Sequence, residues 1–70
     1  MLKDDRDFSA IVKNVRRQLG ISQEALAQEL GVSYATIHRW ENGKTTPFKL
    51  ARVQFDAFCL KMNREGRLSL

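Results

Sequence analysis

Only one cysteine, Cys59, stands in the 70 residues. No intrachain disulfide can form, and a reducing cytoplasm suits such a chain. His38 is the only histidine, so the set of about four Cys or His ligands that a structural zinc ion needs is missing and no metal is expected. No apolar run approaches the ~20 residues of a membrane span. The opening stretch Met1–Asp7 is charged rather than basic and then apolar, so it does not read as a signal peptide. There is no glycine-rich phosphate loop and no pair of carboxylates placed for acid–base work, and His38 and Cys59 fall on separate segments. An enzyme is therefore not expected, and neither a cofactor nor a small-molecule effector is evident.

What remains is a short basic chain. Twelve Lys and Arg stand against eight Asp and Glu, a net charge of +4. The isoelectric point near 9.7 lies above the ~9 that hints at nucleic-acid binding. At this length roughly 60% of the unfolded surface can be buried, enough for one modest core. The chain is expected to form one domain over 1–70, with flexible ends at about 1–4 and 63–70, the polar tail with its two leucines either fraying or docking on a neighbour.

The few breakers, Gly20, Gly31, Gly43, Pro47 and Gly66, divide the chain into segments of helical period. From about 5 to 19, Phe8, Ile11, Val12, Val15 and Leu19 form one apolar stripe. Acidic Asp4, Asp5 and Asp7 precede it and basic Arg16 and Arg17 close it, as the helix dipole favours. Ser22 is an N-cap for a second helix with Leu26, Ala27 and Leu30 inward, ended by Gly31. Ser33 caps a third, running to about Asn42. Ile21 with Leu26 and Val32 with Ile37 form hydrophobic staples across the two caps. Two short helices joined by a tight turn at Gly31 must cross steeply. A fourth helix is expected to start near Pro47, which suits a first helical position, and to run to about Met62. The class is all-α, a bundle of four to five helices.

The third helix is two-sided. At 100° per residue Ile37, Trp40 and Glu41 share the inner face. Ala35, His38 and Arg39 face outward, Tyr34 and Thr36 flank the boundary on either side, and a helix of this kind fits the major groove of duplex DNA. Arg39 can pair with guanine O6 and N7, Ala35 suits a thymine methyl, and Tyr34 and His38 can reach base edges. The plainer alternatives are a solvated Arg39 and a solvated or phosphate-facing His38. Phosphate contacts should flank the reader; the candidates are Gln23 at the second helix's N-terminus, Ser33, Thr36, Asn42 and Lys44.

The run Ser22-Gln23-Glu24-Ala25-Leu26-Ala27-Gln28-Glu29-Leu30-Gly31-Val32-Ser33, continued by Ile37-His38-Arg39-Trp40-Glu41-Asn42-Gly43-Lys44, resembles the phage-repressor and Cro family, also called the xenobiotic-response-element helix-turn-helix family. The likeness covers about Val12 to Pro47. It implies a lambda-repressor-like fold and a small transcriptional regulator, a repressor by preference, working as a homodimer in the cytoplasm at the nucleoid. It implies that Gln23 clamps a phosphate and supports Tyr34, that Tyr34, Ala35 and Arg39 read bases, and that Ser33, Thr36, Asn42 and Lys44 serve the DNA backbone. It also implies an ion pair between Arg16 and Glu41; a phosphate contact is the alternative for Arg16. Tyr34 and Ala35 stand where members often carry glutamine or another polar residue, so no operator sequence transfers.

The fourth helix has two apolar stripes. One is Leu50, Val53, Ala57 and Leu60. The other holds Phe48, Phe55, Phe58 and Met62, with Ala51 and Cys59 beside them. One must close the core. The phenylalanine stripe is expected to be the dimer or partner face, because so large an apolar face left bare usually marks an interaction. A helix buried on both sides is the alternative. If that face were the whole function, the chain would be an antitoxin- or adaptor-like interaction module.

Overall fold

The computed structural model describes residues 5–43, 45 and 47–69, with side chains from Phe8 onward. Four helices follow in order, α1 Asp5–Leu19, α2 Gln23–Leu30, α3 Tyr34–Glu41 and α4 Lys49–Arg64. No strand occurs among the described residues. Lys44 and the expected loose end 1–4 lie outside them.

Each helix boundary has a local cause. The Ser22 hydroxyl accepts from the Ala25 N–H at 3.0 Å and the Ser33 hydroxyl from the Thr36 N–H at 3.1 Å, so α2 and α3 each have one of their unpaired first-turn donors satisfied. Gly31 ends α2 at φ +73°, a left-handed conformation that costs an L side chain about 1–2 kcal/mol. It lets Val32 N–H return to Ala27 O at 3.0 Å and turns the chain sharply into α3. The fourth helix begins two residues later than expected. Pro47 is not its first residue; Phe48 is the N-cap, extended at ψ 169° and without a side-chain cap bond, so helical geometry starts at Lys49.

The core is built from α1 (Phe8, Val12, Val15), α2 (Leu26, Ala27, Leu30), α3 (Ile37, Trp40) and α4. Its centre is aromatic. Phe8 meets Trp40 and Phe55 edge-on, with ring centroids 5.4 and 5.3 Å apart, a favoured geometry for such pairs. The Arg52 guanidinium covers Phe8 from outside at 4.9 Å.

Here the expectation for α4 is overturned. Phe55, Phe58 and Met62 are 1%, 9% and 4% exposed and belong to the core, together with Ala51 and Cys59. They are not an interaction face. Burying the bulkier stripe removes more apolar surface from water, and only Phe55 places a ring against both Phe8 and Trp40. The lighter stripe is left outside, with Leu50 63%, Val53 54% and Leu60 52% exposed. Of the expected face only Phe48, 75% exposed, is open to solvent.

The expected loose end from 63 onward is also corrected. Gly66, at φ +77°, reverses the chain, Arg67 N–H returns to Met62 O at 2.9 Å, and Leu68 is buried. Gln18 then grips Ser69 twice, donating from Nε2 to its carbonyl at 3.0 Å and accepting its N–H at 2.8 Å. A short polar tail is held by Leu68 and by a side chain of α1.

Candidate nucleic-acid interface

The turn at Gly31 lays α3 across the molecule with one face in and one face out. Ile37, Trp40 and Glu41 are buried. Tyr34, Ala35, His38 and Arg39 are all exposed. Four side chains of different chemistry therefore stand on one face of a rigidly seated helix. Tyr34 and His38 are stacked, with ring centroids 6.0 Å apart and planes 25° from parallel. Asn42, at the C-cap, lies 3.0 Å from His38 Nε2 through its Nδ2. Tyr34, His38 and Asn42 thus form a ladder of i, i+4 steps up the helix.

What seats α3 is a network around Glu41. Arg16 of α1 donates from Nε to Glu41 Oε2 at 2.6 Å and from Nη2 to Oε1 at 3.0 Å, a bidentate pair of the strong kind. Its Nη1 donates to Ile21 O in the α1–α2 link at 3.1 Å. Gln23 of α2 donates from Nε2 to Glu41 Oε1 at 3.1 Å, and the Ser9 hydroxyl donates to the Glu41 carbonyl. Burial pushes the Glu41 carboxyl up, but the hydrogen bonds from Arg16 and Gln23, with the charges of Arg16 and Lys13, outweigh it and hold the group below its ordinary value. The same hydrogen bond raises the Arg16 guanidinium against its partial burial. One carboxylate ties α1, α2 and the end of α3 together.

The Gln23 side-chain amide nitrogen serves Glu41, which leaves its backbone N–H at the start of α2 to face a phosphate, and the ring stacked on Tyr34 is that of His38. Ser33 and Thr36 flank the start of α3 with their hydroxyls 2.9 Å apart. Asn42 is exposed at its far end. Lys44 lies outside the described residues.

A basic groove was missed by sequence reasoning. Lys13, Asn14 and Arg17 of α1 line it, opposite Asn42 and Gly43 at the end of α3. Lys13 and Arg17 lie i, i+4 on the polar side of the first segment, and that spacing was the available signal. Among the described residues no group of three His, Cys, Asp or Glu is close enough to share a metal ion, and no helix is long and apolar enough to cross a membrane.

Two short helices crossing at a glycine turn, the second seated by a buried ion pair and showing a polar, basic outer face, define a helix-turn-helix DNA-binding domain. A family model described as helix-turn-helix matches residues 12–47, just over half of the chain. The chain belongs to this family, that of XRE/Cro/lambda-repressor-like helix-turn-helix DNA-binding domains, a family of DNA-binding regulators rather than of enzymes. No solved structure matches it.

Proposed function

We propose that the chain, acting as one domain, reads duplex DNA sequence-specifically with the outer face of α3 and serves as a small transcriptional regulator, a repressor working as a homodimer at the nucleoid. The observation that carries this reading is the division of α3. Arg39, His38, Ala35 and Tyr34 are exposed together while Ile37, Trp40 and Glu41 are locked inside. Only the outer side chains are free to meet base edges, with Arg39 as the main reader of a guanine. Gln23, Ser33, Thr36, Asn42 and Lys44 serve phosphates on either side. The Lys13–Arg17 groove supplies a further backbone contact, positioning without reading.

Selection of a randomised duplex pool at about 150 mM salt tests the reading, since salt governs the nonspecific component. Enrichment of an inverted repeat with half-sites about one helical turn apart, ~34–36 Å, is the expected result. A pool that stays flat and binds only in proportion to low salt overturns it. The exposed Leu50, Val53 and Leu60 favour an accompanying role in protein contact.

A further inference from the structure

The contact between Asn42 and His38 has a direction. Asn42 Nδ2 lies 3.0 Å from His38 Nε2. An amide nitrogen can only donate, and a ring nitrogen accepts only when it carries no hydrogen. The pairing therefore requires a neutral imidazole whose hydrogen is on Nδ1, and Nδ1 has no hydrogen-bond partner among the described residues. The opposite arrangement, with the Asn42 amide turned over so that Oδ1 faces Nε2–H, would put the hydrogen on the other nitrogen.

Both sides of the ring are held. Tyr34, one turn earlier, is stacked on it, with centroids 6.0 Å apart and planes 25° from parallel. Asn42, one turn later, is fixed by its own backbone N–H, which donates to His38 O at 3.0 Å. It follows directly on Glu41, which is buried. Tyr34, His38 and Asn42 are all exposed, so the ring is oriented without being covered.

We propose that Asn42 is a positioning residue for base readout. By donating to Nε2 it fixes His38 as a donor through Nδ1–H. His38 then selects a base edge that accepts (purine N7, guanine O6 or thymine O4) over an exocyclic amino group. This rests on the DNA-reading role of α3 and deepens it. An unconstrained neutral imidazole offers a donor in one tautomer and an acceptor in the other, so it discriminates poorly between the two kinds of edge. The Asn42 amide has a second hydrogen on Nδ2, which remains for a phosphate oxygen. One side chain thus joins a backbone contact to the reader.

Nitrogen-15 NMR of the free chain at about pH 8 reads the tautomer directly. In the wild type the His38 hydrogen should be on Nδ1. In Asn42→Ala it should move to Nε2, the site that an unconstrained histidine prefers. A wild type carrying it on Nε2 overturns the proposal. Selection of the randomised duplex pool reads the consequence. His38→Ala should reduce preference at one position by about 2- to 10-fold, as expected for one hydrogen bond. Asn42→Ala should reduce it at that same position, while the loss of its phosphate contact weakens all sequences alike. In the double variant Asn42→Ala should cost no further preference there, because the two side chains act as a unit. Circular dichroism checks that each variant is folded. A selective wild type whose preference survives His38→Ala overturns the readout by His38 alone. Separate positions for the two single variants, or additive losses in the double, overturn the positioning role. A wild type that selects no sequence overturns the DNA-reading assignment and this readout together.

Discussion

Arg16, near the end of α1, grips Glu41, at the end of α3, through both carboxylate oxygens, at 2.6 and 3.0 Å. The two residues are 25 positions apart, and Glu41 is only 4% exposed. Because the pair lies behind the outward face of α3, it fixes the angle at which that face is presented.

Glu41→Gln should lower stability at neutral pH by about 1–3 kcal/mol, since it removes the buried carboxylate that Arg16, itself only partly buried, pairs with. The pH dependence has a definite sign. The folded carboxyl sits below its ordinary value of 4.5, so the unfolded chain takes up a proton first. The contribution is full above that value and is lost as pH falls through the lower value of the folded state. Urea titrations from neutral pH to about pH 2 should show the wild type losing ground over this range and Glu41→Gln losing less. Equal stability at neutral pH counts against the assignment.

The two faces of α4 separate cleanly by substitution. Phe55→Ala should cost about 3–5 kcal/mol, because it removes a ring that touches both Phe8 and Trp40. Leu50→Ala should change the stability of the isolated chain by less than about 0.5 kcal/mol. Chemical denaturation at low protein concentration reads both. A reversal would put the phenylalanine stripe back outside.

Arg39→Ala should leave folding untouched and relax base preference at one position, at a cost of about 1–3 kcal/mol in binding to the preferred sequence. Lys13→Ala and Lys44→Ala should instead weaken all sequences alike, each reducing the slope of log affinity against log salt by about 1. Selection followed by titration at several salt concentrations distinguishes the two behaviours. Unaltered preference in Arg39→Ala removes it from the readers.

Cys59 should be chemically quiet. Burial and the nearby Asp56 push its thiol up to about 11, against a smaller opposing effect of Arg52. Little thiolate exists at neutral pH. Maleimide labelling of the native chain should be slow and should accelerate sharply in denaturant. Rapid native labelling would show that α4 separates from α1 more easily than the packing implies.

The helix-turn-helix was legible because its signals are local. Ser22 and Ser33 cap the helices that follow them, and Gly31 stops α2 where its backbone freedom is needed. The division of α3 followed from a single 100° step, except that the step put Tyr34 at the boundary and the structure exposes it. Two features were not legible because they depend on partners distant in sequence. Which stripe of α4 faces inward is decided by the Phe8–Phe55 and Phe55–Trp40 contacts, and helical periodicity alone treats both stripes as apolar. The docking of the tail depends on Gln18, 51 residues from Ser69, so its polar composition suggested a free end. Gln23 belongs to the same class: nothing in its own neighbourhood shows that Glu41 takes its amide nitrogen.

The separation of α3 into an anchored side and an open side makes specificity and folding independent variables. Positions 34, 35, 38 and 39 are absent from the core, so under the proposed DNA-reading role they would form an interchangeable address on a fixed socket. A lineage could then drift to a new operator by exchanging those four side chains, without first acquiring a stabilising change elsewhere.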